Sequence, residues 1–243
     1  MSTGTIFPIG HYCGVSPHGP DSAVTDQGGH LVRVGYGLER LTDDEFGIWI
    51  LAHGLTEVGR DDWTAEHILD RAAETGVANP AEHLDELFAR GLLALVPTRP
   101  EYADESVAFA SAYRIGPLLV GLGAVPDEPN EPDQHAIGVP GVGTAALLDP
   151  ACYELWQRSG AAATVWQLCQ ERVERTTAIS SGLEGLLDPT RLLAQLLGEL
   201  RTLIVHGCAY LDVAVGNESG VDSSRAPDET DENTAAPLEN VPE

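Results

Sequence analysis

Lysine is missing altogether. The 13 basic residues of this 243-residue chain are all arginine, set against 38 aspartates and glutamates for a formal charge of −25. Such a surface repels polyanions, which argues against nucleic acid as a partner and against attraction to an anionic bilayer. The same absence removes the Gly-rich loop with a following Lys that cradles phosphates. Lysine-free, Ala/Gly/Arg/Asp-rich usage is also what a GC-rich coding sequence gives, and an acidic excess can be salt adaptation. The bias therefore bears on partners more than on chemistry.

Cysteine is sparse: Cys13, Cys152, Cys169 and Cys208 stand far apart with no Cys-x-x-Cys pair, the usage expected of reduced, packed thiols in a cytoplasmic protein. No apolar run approaches the length of a bilayer span, and the N-terminus lacks a basic segment followed by an apolar one, so the expectation is a soluble chain with no membrane contact. Gly-x-Ser-x-Gly and His-Glu-x-x-His are absent as well. The chain is therefore expected to be non-enzymatic and to need no cofactor. Gly138-Val139-Pro140-Gly141-Val142-Gly143 is Gly-rich but reads as a strand-to-helix turn. His11, Cys13, His18 and His30 offer zinc-type donors at a spacing that matches no finger or ribbon, so no metal is assigned.

What is present is a well-punctuated stretch from Leu41 to Val96. Thr42 and Glu45 form a capping box, with Leu41 and Phe46 as a hydrophobic staple, and Gly54 ends the apolar run Ile48-Trp49-Ile50-Leu51. Thr64 can cap a second helix with Ile68, Leu69, Ala72 and Ala73 on its apolar face, stopped by Gly76. A third begins at Asn79-Pro80 with Glu82 at the capping-box position, carries Leu84, Leu87 and Phe88, and stops at Gly91 before the strand Leu92 to Val96. His53 and His206 fall where positive charge suits a helix C-terminus, and His67 and His83 fit polar helix faces. Glu39-Arg40 and Asp43-Asp44 read as solvated charges at a helix end.

Upstream, Ile6 to Val15, broken at Pro8 and Gly10, and Leu31 to Val34 read as strands of a hairpin-like pair. Pro97 to Glu105 reads as a polar turn and Ser106 to Val125 as extended. The pattern then repeats in order. Ile9-Gly10 is echoed by Ile115-Gly116, His30-Leu31-Val32 by His135-Ala136-Ile137, Leu41-Thr42 with Phe46 and Trp49 by Leu148-Asp149 with Tyr153 and Trp156, and Asn79-Pro80 by Asp188-Pro189. The expected architecture is α+β: a tandem duplication of a small winged-helix-like domain (β-hairpin, three helices, closing strand) over residues 1–105 and 106–215, with a disordered acidic tail over 216–243. The linker Asp127 to Asp133 is Pro- and acid-rich and is expected to be exposed. In the second copy the Leu-rich stretch from Pro189 to His206 has apolar surface to spare, and Leu196 and Leu203 are candidates for an interface with the first copy, a second subunit or a larger assembly.

Leu31-Val32-Arg33-Val34, Leu41-Thr42-Asp43-Asp44-Glu45-Phe46 through Gly54, and Leu84 to Leu93 with Gly91-Leu92-Leu93 together resemble the PqqD-like family of peptide-binding domains. The resemblance covers roughly residues 28–96 and more faintly 134–213. It implies an element that presents precursor peptides to the enzymes of ribosomally synthesised, modified peptide production. In that family a peptide adds as a strand to the sheet edge and lies against the third helix. The matching positions are Val32, Val34 and Tyr36 on the strand, with His83, Leu87 and Arg90 on the helix. The resulting expectation is a peptide or protein recognition adaptor. The alternatives are a winged-helix transcriptional regulator, whose third helix would here carry Glu82, Asp85 and Glu86 toward phosphate, and an accessory subunit of an assembly.

Overall fold

A computed structural model describes residues 4–16, 29–57, 62–97, 103–125, 133–179 and 188–214. The expected tail, His18 and most of the Asp127–Asp133 linker lie outside the described residues. The architecture is mixed α+β, with seven helices and four small antiparallel sheets among the described residues.

The first half runs β1 (Gly4–Pro8), β2 (His11–Val15), β3 (His30–Val34), β4 (Gly37–Leu41), α1 (Asp43–Leu51), α2 (Ala65–Thr75), α3 (Pro80–Ala89) and β5 (Leu93–Pro97). The second runs α4 (Ala103–Ala112), β6 (Tyr113–Pro117), β7 (Val120–Val125), β8 (Gln134–Val139), β9 (Gly143–Leu148), α5 (Pro150–Ser159), α6 (Val165–Ile179), α7 (Pro189–Val205) and β10 (Ala209–Val213). In each half the first strand pairs antiparallel with the last, β1 with β5 and β6 with β10, and the three intervening strands form a meander, β2-β3-β4 and β7-β8-β9. Both meanders break register at the same place, between Tyr12 and Gly14 and between Gly121 and Gly123.

The capping box at α1 forms as expected: Glu45 N–H donates to Thr42 Oγ1 and Thr42 N–H to Glu45 Oε2. Other local readings are corrected. Asn79 stands before α3 in the left-handed region (φ 44°) and makes no side-chain cap, because its side chain cannot reach back from that conformation. His67 is a capping partner, its Nδ1 accepting from Thr64 N–H at 3.2 Å. Residues 106–112 are helical, not extended: the Ala-rich α4, with Asp104 and Glu105 in its first turn, buries Phe109 and Ala110. The expected boundary between 105 and 106 thus falls inside a helix. Strands β4 and β9 were not anticipated, since each is exposed along much of its length and lacks an apolar alternation. The Gly-rich run 138–143 accordingly turns one strand into another, not into a helix.

The repeat register at the first strand also shifts. Ile9 N–H donates to Leu92 O, and Leu118 N–H to Cys208 O; Trp49 Nε1 donates to Ile9 O, and Trp156 Nε1 to Leu118 O. These pairings set Ile9-Gly10 opposite Leu118-Leu119, not Ile115-Gly116. Gly10 takes φ +100°, and a Cβ there would collide with Val32 and the Arg33 carbonyl; Leu119 holds φ +67° as a non-glycine residue.

Two apolar clusters fill the interior. One lies within the first half around Trp49, Trp63, Ile68 and Leu87. The other joins the halves, setting Phe7, Ile9 and Val96 against Leu196, Leu200 and Leu203 of α7. The excess apolar surface of α7 is spent here: Leu196 and Leu203 are fully buried among α4, α5, α6 and the first half, so neither is available to another subunit.

Candidate functional site

Each meander leaves its third strand at an outer edge: β4 and β9 pair on one side only among the described residues. In the first half β3 is the middle strand, flanked by β2 and β4, so the backbone of Val32 and Val34 is already paired. Val32 is fully buried beneath the sheet with Leu87 of α3, and Val34 is partly buried between the two apolar clusters. The terminal strands of this sheet are β2 and β4, and β4, which Arg90 of α3 contacts, is one strand further along than the strand the sequence pointed to. Val34 and Gly37 close a two-residue turn at Gly35-Tyr36, which leaves the backbone groups of Leu38 and Arg40 facing outward by the alternation of antiparallel pairing. Tyr36 is 84% exposed at that turn and Leu38 is 62% exposed on the outer face.

Arg90, at the end of α3, lies across this edge. Its Nη2 donates to the Arg40 carbonyl (2.8 Å) and to Glu39 Oε2 (2.9 Å), while Nη1 donates to Glu45 Oε1 (2.7 Å). Glu39 is therefore an internal partner and not a solvated helix-end charge, because it shares the inner face of the sheet with Val32. Arg90 ties α3, β4 and the cap of α1 together and covers one of the outward β4 carbonyls. His83, one helical turn and more before it, gathers with Glu45 and Glu86, donor atoms within 4.8 Å of one another, and its Nδ1 is buried without a hydrogen-bond partner among the described residues. Both Glu45 oxygens are engaged, by Arg90 and by Thr42 N–H, so a cation at this cluster would have to displace Arg90. The structure thus sets Arg90 on β4 and His83 beside Glu45, the carboxylate that Arg90 holds, places Tyr36 at the tip of the hairpin, and sinks Val32 and Leu87 into the core.

The second half lacks this latch. The position of Glu45 is taken by Cys152, whose N–H donates to the Asp149 side chain, and that of Arg90 by His206. Among the described residues no side chain hydrogen-bonds to the backbone of β9, and Val142 and Leu147 beside it are 83% and 50% exposed. In all, eight of the eleven exposed large apolar side chains, Ile50, Leu95 and Leu119 being the others, belong to the strands or hairpin turns of the two meanders. The exposed apolar surface is therefore concentrated on the two meanders.

The remaining donors are accounted for individually. His11 packs its ring on Tyr210, and burial together with Arg33 lowers its pKa; His30 stacks on Phe46; Cys13 is exposed, its thiol facing the His11 carbonyl. His53 is no helix-end cation. Its Nδ1 lies 3.0 Å from the Trp49 carbonyl, and burial pushes its pKa down to about 4. Cys169 and Cys208 are buried free thiols whose pKa burial raises to about 11, which makes them poor nucleophiles. No helix among the described residues is long and apolar enough to cross a membrane. Comparison with protein-family models, with curated proteins and with solved structures finds no match to this chain.

Proposed function

We propose that the chain is a tandem pair of winged-helix-like domains acting as a non-enzymatic recognition adaptor, which binds an extended peptide by strand addition and presents it to a modifying enzyme. The observation that supports this reading best is that eight of the eleven exposed large apolar side chains belong to the two meanders, whose strands β4 and β9 pair on one side only among the described residues. Main-chain bonds along such an edge supply affinity, and side chains flanking it supply selectivity. The β9 edge is the readier of the two, since Arg90 already bonds the Arg40 carbonyl on β4. A peptide on β4 would meet Tyr36, Leu38, His83 and Arg90; one on β9 would meet Val142 and Leu147.

The test is selection of a displayed random-peptide library against the full chain, followed by amide hydrogen exchange with the enriched peptide. Slowed exchange confined to β4 or β9, lost when proline replaces a central peptide residue, is the expected result. Failure to enrich any peptide, or protection elsewhere, would reject the proposal.

A further inference from the structure

We infer that the outer face of the second meander, around Val120 and Leu147, is a contact surface for a second copy of this chain, which associates through it as a weak symmetric dimer. The inference goes beyond the adaptor reading and uses no residue of β4.

The two meanders differ at the same register positions. In the first, His11, Arg33 and Leu38 form one row across the strands, on the face opposite Val32. Strand β10 of the second half docks there. The Tyr210 ring lies 4.8 Å from that of His11, Arg33 Nη2 donates to the Tyr210 hydroxyl (2.9 Å), and Gly10 N–H donates to the Leu211 carbonyl (2.7 Å). In the second meander the row is Val120, Gly138 and Thr144, and Leu119 stands at the position of Gly10. Leu119 and Val120 are 38% and 50% exposed. The surface that serves as a joint in the first half is therefore open in the second, and Val120 and Gly138 replace the histidine and the arginine. Leu147 opposes Ala136 and so shares this face with Val120. Gly121, Ile137 and Ala146 take the other face, where a Cβ on Gly121 would meet Tyr153 and Trp156 of α5.

Charge and strain say what covers it. Residues 115–125 and 134–148 carry no Asp, Glu or Arg, in a chain of formal charge −25. A basic partner would find no acid here and an acidic partner no base, so the matching surface must itself be uncharged and apolar. A second copy supplies that surface. When the face meets itself across a two-fold axis, no like charges are opposed at the contact. Leu119 holds φ +67°, a conformation that disfavours a branched side chain, yet its side chain is partly exposed. Within one chain that strain is not offset by burial, as it would be against a neighbour. The face is small: three strands of six residues present about 14 by 20 Å. A standard interface buries roughly 800 Å² per partner, so the dissociation constant is expected at about 10–100 μM.

The experiment is sedimentation equilibrium of the full chain, without peptide, between about 1 and about 500 μM. A monomer–dimer equilibrium is expected that tightens as salt rises from about 0.05 to about 0.5 M, because screening weakens repulsion between two acidic chains and leaves apolar contact intact. Val120→Glu should weaken association by about tenfold or more, since it sets an acid on each side of the contact. Leu147→Glu should do the same and decides the matter if Val120→Glu does not fold. Ile50→Glu, which changes an exposed apolar side chain of α1, should leave the association as it is. Leu119→Gly should weaken the dimer by about threefold or more while raising the thermal midpoint of the dilute chain. Flotation with phosphatidylcholine vesicles tests whether a bilayer covers the face instead. A chain that stays monomeric throughout, association untouched by either meander variant or lost equally in Ile50→Glu, or vesicle binding by the monomer that Val120→Glu abolishes, would each overturn the inference.

Discussion

At the scale of single residues, backbone conformation and burial give the sharpest expectations. Leu119 sits at φ +67° where the first half has Gly10, and left-handed conformations disfavour a branched side chain. Leu119→Gly should therefore raise stability by about 1 kcal/mol, seen as a thermal midpoint a few degrees higher. Gly10→Ala should instead lower stability by about 2 kcal/mol or more, because its Cβ meets Val32 and the Arg33 carbonyl. His53 carries a pH dependence of definite sign. Its folded pKa is about 4 against 6.5 for a free histidine, so the unfolded chain takes up the proton first as pH falls. Its stabilising contribution is complete above pH 6.5 and is lost as pH falls toward 4, by about 3 kcal/mol at most. Chemical denaturation at several pH values should show that slope in the parent and lose it in His53→Gln. The sequence placed His53 correctly at the end of α1, but neither its burial nor the charge of Arg201 acting on it is conveyed by any local pattern.

At the scale of elements, ion pairs fasten helices that apolar patterning alone would leave free to slide. Glu199 on α7 is 1% exposed and accepts from Arg172 of α6 at 2.6 Å and from Gln195 at 3.0 Å. Glu199→Gln should cost about 3 kcal/mol by leaving Arg172 unpaired, whereas Arg172→Met with Glu199→Leu should recover most of that loss in denaturant titrations. Arg90→Ala should cost about 1–2 kcal/mol and, with Glu45→Ala, give a non-additive double-mutant cycle, since the two groups share one hydrogen bond. The helices of the first half were legible because Thr42, Glu45, Gly76 and Gly91 punctuate them locally. The candidate edge was not: β4 has the burial of a half-exposed strand packed beneath a helix, and its identity is fixed by pairing with β3. Of the site residues taken from the sequence, Val32 and Val34 lie on the middle strand β3, and Val32 and Leu87 have an apolar character that serves the core.

At the scale of the whole molecule the halves are joined by charge as well as by packing. Asp212 of β10, 1% exposed, accepts from Gly35 N–H (2.6 Å), Arg33 (3.3 Å) and Arg114 (3.0 Å), so one carboxylate holds β3 of the first half to β6 and β10 of the second. Asp212→Ala should cost about 1–3 kcal/mol by leaving the Gly35 N–H without its acceptor and removing the charge shared by two partly exposed arginines. Because Phe7, Ile9 and Val96 complete the apolar cluster of the second half, the parent should unfold in a single cooperative transition by calorimetry. The repeated order of motifs was visible along the chain, but the joint between the halves was not, because Arg33, Asp212 and Arg201 are separated by long stretches of sequence and carry no motif. The central claim concerns what the open edges do. It is tested most directly by amide hydrogen exchange of the full chain with a library-selected peptide bound. Protection along β4 or β9, with the rest of the chain unchanged, is the result expected; peptide-induced protection that spares both edges would contradict it.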